Sequence, residues 1–220
     1  MQITAIEPQK RNPRRVNIYL EGAFAFSLAR IVAAWLKVGQ DLSQEKIAAL
    51  QAEDEQESTY QRAVHFLSFR PRSTAEMRQN LKARKVPEAL MERTLARLQE
   101  NGLLDDEAFA RLWVENRNEF RPRSRSALRM ELQRKGLPHE IIQNVLDADV
   151  DEPALAERAA RKYSRKLQGL DWPEFRLKLG GFLARRGFSY STITPLVTEL
   201  WQEISQGAAA GGPSKDEERI

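Results

Sequence analysis

The candidates for covalent or metal chemistry are few and scattered: two histidines, His65 and His139, and the carboxylate group Asp105-Asp106-Glu107. A metal needs several donors that converge, and neither imidazole has a nitrogen or sulfur partner at ligand spacing, so each reads as a surface or half-buried ring. The acidic run follows Asn101-Gly102-Leu103-Leu104, which reads as a helix end; the aspartates then read as N-caps of the next helix, where negative charge complements the dipole. Cysteine is absent from the chain, which removes thiol nucleophiles, disulfides and cysteine-ligated metal sites. No glycine-lysine phosphate loop is present, and Gly180-Gly181 lies in an apolar helical pattern without the preceding strand that a dinucleotide-binding turn needs. The expectation is a protein that is not an enzyme, with no cofactor, no metal and no small-molecule substrate.

Arginine offers the remaining chemistry, which is anion recognition. Arg70, Arg72, Arg121, Arg123, Arg125 and Arg129 cluster around two similar turns and the helix starts after them. Cations are electrostatically unfavourable at a helix N-terminus, so helix stability does not account for them. Three purposes fit: phosphate contact, pairing with an acidic protein surface, or salt bridges to neighbours such as Glu76, Glu119 and Glu131. Lys10, Arg11, Arg14 and Arg15 form the one locally unbalanced basic patch, either an anion contact or a solvated turn. Lys135, Arg185 and Arg186 complete the set of candidate partner-binding or DNA-binding residues.

The composition sets limits on both readings. Thirty-five Lys and Arg against 31 Asp and Glu leave a formal charge of only +4, so the distribution of charge has to decide what the chain binds. Hydrophobic residues make up 41% of the 220, enough for a packed core. No apolar run approaches the ~20 residues that span a bilayer, and Met-Gln-Ile-Thr-Ala-Ile lacks the basic start and apolar block of a secretion signal. A cytoplasmic protein without membrane contact is expected.

Positioning these residues falls to a short β segment and a long helical one. Ile3 and Ile6, the alternation Val16, Ile18, Leu20, and then Ala23, Phe24, Phe26 predict a hairpin or three-stranded meander, with Glu21-Gly22 as a tight turn. From Leu28 the spacing Leu28, Ile31, Val32, Trp35, Leu36 predicts a helix ending at Gly39. A second short helix follows Asp41 or Ser43 and carries Ile47 and Leu50, and the acidic stretch 53–57 reads as a linker or a solvated helix start.

Beyond it the chain repeats. Phe69-Arg70-Pro71-Arg72-Ser73 recurs unchanged as Phe120-Arg121-Pro122-Arg123-Ser124, and the same offset of 51 yields nine identities over the 27 positions 69 to 95. A weaker third copy keeps the offset, with Pro173 against Pro122, Leu179 against Leu128 and Arg186-Gly187-Phe188 against Lys135-Gly136-Leu137. Each copy opens with a helix bearing a small residue and an aromatic three places on: Ala63 and Phe66, Ala110 and Trp113, Ala160 and Tyr163. A second helix follows with Ser73 or Ser124 as cap, and a third begins at Pro87 or Pro138. The expected fold is mainly α: tandem three-helix repeats in an elongated, curved array behind a small N-terminal β-hairpin or meander with short helices. The expected domains are 1–57 (hairpin and short helices), 58–105, 106–150 and 151–205 (repeats 1 to 3) and a disordered tail at 206–220. The absence of a heptad seam favours a monomer.

The first repeat, from Ala63-Val64-His65-Phe66-Leu67-Ser68-Phe69-Arg70-Pro71-Arg72-Ser73 to Leu98-Gln99-Glu100-Asn101-Gly102-Leu103-Leu104-Asp105-Asp106, resembles the RecX family. Glu131 to Leu137 resembles that family's second repeat, Lys162-Tyr163 and Phe182 to Phe188 its third, and Gly22-Phe24-Phe26-Ser27-Leu28 the extension of its longer members. The likeness covers about residues 1 to 205 and is specific as an ensemble. It implies negative regulation of the RecA recombinase, by a protein lying in the groove of the RecA filament on single-stranded DNA. There it would limit filament growth or promote disassembly, lowering ATP hydrolysis, strand exchange and coprotease activity. A direct DNA-binding module, on single-stranded or double-stranded DNA, is the competing reading, using the basic repeat turns and the N-terminal hairpin.

Overall fold

The structure, a computed structural model, describes residues 1–210. Three antiparallel strands, β1 (Ile3–Pro8), β2 (Arg15–Leu20) and β3 (Ala23–Ala29), form a meander in the order β1-β2-β3. Glu21 and Gly22 turn β2 into β3 with φ of 50° and 82°, the doubly left-handed geometry of a tight hairpin turn. Nine helices follow among the described residues: α1 (Gln44–Leu67), α2 (Thr74–Ala83), α3 (Glu88–Glu100), α4 (Asp106–Phe120), α5 (Arg125–Arg134), α6 (His139–Asp149), α7 (Glu152–Ser164), α8 (Trp172–Ala184) and α9 (Tyr190–Ala210). None of them is long and apolar enough to cross a membrane.

Four expectations need correcting. The helix from Leu28 does not form: Leu28 pairs with Val16 in the β2–β3 ladder, and residues 30–35 are turns that leave Ile31 and Trp35 outside while Val32 and Ala33 are buried. The strand wins because Phe26 and Leu28 alternate onto the buried face of the sheet, and a helix there would remove both from it. The second helix is not short; capped by Ser43, α1 runs unbroken through the acidic stretch and into the first repeat, so the boundary expected at 57 falls within it. Pro87 and Pro138 sit at the N-cap, one residue before their helices. The tail expected to be disordered from 206 begins inside α9, and its positions 211–220 lie outside the described residues.

The chain divides into two compact units, Met1–Asp105 and Asp106–Ile220. In the first, the sheet packs its Ile3, Ile18, Leu20 and Leu28 face with Ile47 and Leu50 of α1, and a separate core joins Tyr60 and Ala63 to Met77, Leu81, Met91, Leu95 and Leu98. In the second, repeats 2 and 3 share one continuous core from Phe109 to Leu200, with Leu128, Leu132, Phe175, Leu179 and Leu183 fully buried.

The offset of 51 has a local physical cause. Each second helix ends in a left-handed residue, at Lys85 (φ 59°), Gly136 (75°) and Gly187 (88°). The next amide bonds back to the carbonyl five residues earlier: Val86 to Leu81, Leu137 to Leu132 and Phe188 to Leu183, at 3.2, 3.3 and 3.3 Å. This is the helix-ending motif that favours glycine, and only the first repeat lacks one. Lys85→Gly is therefore expected to raise the stability of the first unit by about 0.5–1 kcal/mol, read as a higher urea midpoint at unchanged slope; a lower midpoint would refute the strain at Lys85.

Candidate functional site

Serine caps set the repeated turns. Ser73 accepts from the Glu76 amide at 3.2 Å, while the Glu76 carboxylate takes the Ser73 amide, a reciprocal cap; Ser124 accepts from the Ala127 amide at 3.1 Å. Both serines are buried, yet the residue four places earlier is turned outward in both copies, Phe69 being 70% and Phe120 68% exposed. The arginines around these turns divide into two groups.

Several serve the repeat itself. Arg70 grips Glu76 through both terminal nitrogens at 3.0 and 3.2 Å, bracing the cap. Arg72 lies over the Phe66 ring at 4.1 Å. Arg123 pairs with Glu131 at 3.0 Å, a carboxylate that also takes Arg117 at 2.7 Å and the Trp113 indole at 2.8 Å. Arg125 pairs with Asp147, Arg129 donates to Gln143 at 2.9 Å, and Lys135 lies over Trp113. In the N-terminal patch, Arg15 is held by Asp54 at 2.8 Å, Ser58 and the Ser27 carbonyl, whereas Lys10, Arg11 and Arg14 stand exposed. The aromatics three places after each small residue therefore do more than fill a gap between helices: Phe66 and Trp113 each carry a cation on a half-buried ring.

A second group gathers in the second unit without neutralisation. Arg186, after α8, lies over Phe182 at 4.4 Å and donates to the Pro122 carbonyl at 2.9 Å, while the Ser124 amide donates to its own carbonyl at 3.1 Å. Burial, and then the charges of Arg123 and Arg121, push its guanidinium below the ordinary arginine value. Three arginines from two repeats thus share one locality, and Arg121 has no hydrogen-bond or ion-pair partner for its side chain among the described residues. Their neighbour is a cleft of about 340 Å³ floored by the parallel stack of Tyr163 and Phe182, with ring centroids 3.9 Å apart. Its lining also holds the exposed Phe120, the carboxylate of Glu119 and three cations, Arg158 and Lys162 of α7 and Lys166 in the turn after it.

Those three cations went unmarked in the sequence, although Arg158 and Lys162, four apart, share one face of α7, with Lys166 in the turn beyond its end. Arg158 bonds the Asn118 carbonyl, and Lys162 and Lys166 are exposed with no anionic partner among the described residues. Arg161, between them, is withdrawn: Glu157 and Glu203 hold it at 2.7 to 3.0 Å, raise its pKa further and tie α7 to α9. Arg185 is exposed beside the cluster in sequence, outside the residues that line the cleft. What the geometry can do is bind, since four cations against the single carboxylate of Glu119, over an aromatic floor, suit an anionic partner that also offers flat or apolar groups. No group of three or more metal-ligating side chains exists among the described residues.

Comparison with known proteins places this arrangement in context. Four family profiles match in chain order: the Regulatory protein RecX N-terminal domain over residues 1–43, and the first, second and third RecX three-helix domains over 60–98, 105–146 and 150–196. A Bacillus licheniformis protein named Regulatory protein RecX is 31% identical over 221 residues, covering 99% of this chain and 84% of its own. A Bacillus subtilis protein of the same name is 30% identical over 205 residues, covering 91% and 78%. A solved structure titled as a regulatory protein RecX superimposes with a TM-score of 0.70 at 29% identity over 89% of this chain. A RecX from Lactobacillus salivarius gives 0.59 at 20% identity over 68%, a likeness of fold.

Proposed function

Because the chain belongs to the RecX family of regulatory proteins, we propose that it is a non-catalytic negative regulator of RecA, acting in the cytoplasm as a monomer. In this reading it lies in the groove of the RecA filament on single-stranded DNA, limits extension or promotes disassembly, and so lowers ATP hydrolysis, strand exchange and coprotease activity. The observation that carries the proposal is the run of all four RecX domains in order along one chain. A filament presents the same surface again and again, and a protein built of repeated units can engage it at several points, each adding to the effective concentration of the next. The cleft of the second unit supports the same reading, since its cationic rim and exposed Phe120 suit a protein surface with acidic and apolar parts.

Arg121 and Arg186, close together and without an anionic partner among the described residues, favour one alternative, direct DNA binding by the repeats. Both readings are tested by titrating the protein into the cognate RecA on single-stranded DNA and following ATP hydrolysis, with binding to bare DNA measured at the same salt. Inhibition is expected well below the concentration that coats the DNA. Inhibition that tracks coating, or none, would replace filament regulation with DNA binding.

A further inference from the structure

We propose that the N-terminal unit carries a separate binding groove for single-stranded nucleic acid, formed where the sheet meets α1 and the end of α2. The groove encloses about 1230 Å³ and is open along one side. Its cations are Arg14, Arg15, Arg30, Arg62 and Arg84, with the His65 imidazole beside them, drawn from four places far apart in sequence. Arg14 and Arg15 lead into β2, Arg30 follows β3, Arg62 and His65 lie three apart on one face of α1, and Arg84 closes α2.

Charge in the groove is uncompensated. Its one carboxylate, Glu57, is buried and taken by Arg97 at 2.7 Å and by Gln61 at 2.8 Å, and the adjoining Asp54 is taken by Arg15. Arg14, Arg30 and Arg62 have no hydrogen-bond or ion-pair partner for their guanidinium groups among the described residues, and Arg84 has only the Asn80 amide oxygen at 3.2 Å. Four cations without a carboxylate partner thus gather in one concave place.

The neighbouring turn segment supplies the second element of recognition. Ile31 and Ala34 line the groove, and Trp35, next in the chain to Ala34, is 87% exposed, more than any other large hydrophobic side chain among the described residues. A solvated indole beside a cationic groove is what a nucleobase stacks upon, a contact worth about 1–3 kcal/mol per base in single-strand binders. Size argues for a strand over a lone nucleotide, because small-ligand clefts run to roughly 300–1,000 Å³. A duplex is disfavoured, since grooved DNA is read by an element that protrudes, and here the cations line a hollow. This site joins the sheet to the first repeat, which supplies Arg62, His65 and Arg84; it shares no lining residue with the cleft of the second unit and its binding does not depend on an action on RecA.

The test uses the full chain and an oligothymidylate of about 12 nucleotides. Binding is followed by tryptophan fluorescence and by the anisotropy of a labelled strand across a salt series. Arg30→Glu with Arg62→Glu is expected to weaken binding at least tenfold and to flatten the salt dependence, with the melting temperature unchanged. Trp35→Ala is expected to remove most of the fluorescence quench, whereas Lys162→Glu with Lys166→Glu in the second unit leaves that quench intact. Unchanged affinity in the double arginine variant would overturn the proposal. So would competition by ATP or by polyglutamate as effective, per mole of phosphate or carboxylate, as that by the unlabelled strand.

Discussion

Gly187→Ala is expected to destabilise the second unit by roughly 2–4 kcal/mol. Two independent costs add. The backbone at Gly187 has a φ of 88°, a region where a side chain costs about 1–2 kcal/mol. A Cβ built there would stand 2.5 Å from the Ser124 hydroxyl and 2.9 Å from the Ala127 Cβ. Neither neighbour can yield easily, because Ser124 is buried, caps α5 through the Ala127 amide, and donates its own amide to Arg186. The added methyl group therefore pushes the turn of the third repeat off the cap of the second. Gly169→Ala is the control: its φ is 82°, but nothing lies within 4 Å of the new Cβ, so only the backbone cost applies. Thermal melts should place Gly187→Ala several degrees below Gly169→Ala, given roughly 4 °C per kcal/mol for a domain between the 100- and 150-residue classes. Equal melting temperatures would show that the contact between the two repeats is loose enough to absorb a methyl group.

The largest functional effect is expected from Lys162→Glu with Lys166→Glu, which should raise the concentration needed for half-inhibition of RecA ATP hydrolysis at least tenfold. Both lysines rim the cleft over Tyr163 and Phe182, and neither has an anionic partner among the described residues. Their replacement therefore removes no ion pair that holds the fold. A surface charge pair contributes up to about 1 kcal/mol, and reversal adds repulsion where attraction stood. Two such changes exceed the ~1.4 kcal/mol that corresponds to a factor of ten. The loss should shrink as salt rises, since exposed charges separated by more than ~10 Å are screened at moderate ionic strength. Lys46→Glu, on the exposed side of α1, serves as a charge-reversal control away from the cleft lining and should inhibit as the parent protein does. If the double variant inhibits normally while remaining folded, the cleft is not the contact surface, and Arg70, Arg121 and the exposed phenylalanines of the two turns become the next residues to change.

Local chemistry alone determined the repeat. Serine caps, left-handed helix ends and apolar residues at helical spacing act within about one turn of chain, so identical turns at positions 69–73 and 120–124 had to build similar helix pairs. The Glu21-Gly22 hairpin was legible for the same reason, as was membership in a family whose signature is made of those turns. Tertiary structure decided the rest. Residues 28 to 36 have helical spacing, but strand pairing between Leu28 and Val16 claims the first of them and leaves Trp35 in solvent. Arginines that look alike in sequence part company by partner: Arg70 and Arg123 are absorbed by Glu76 and Glu131, while Arg121 and Arg186 remain as uncompensated charge. The grouping of Arg158, Lys162 and Lys166 with Arg186, and of Arg14 and Arg30 with Arg62 and Arg84, brings together residues that are far apart in sequence. Charge acts through space, and a pattern read along the chain registers only charges that are close in sequence.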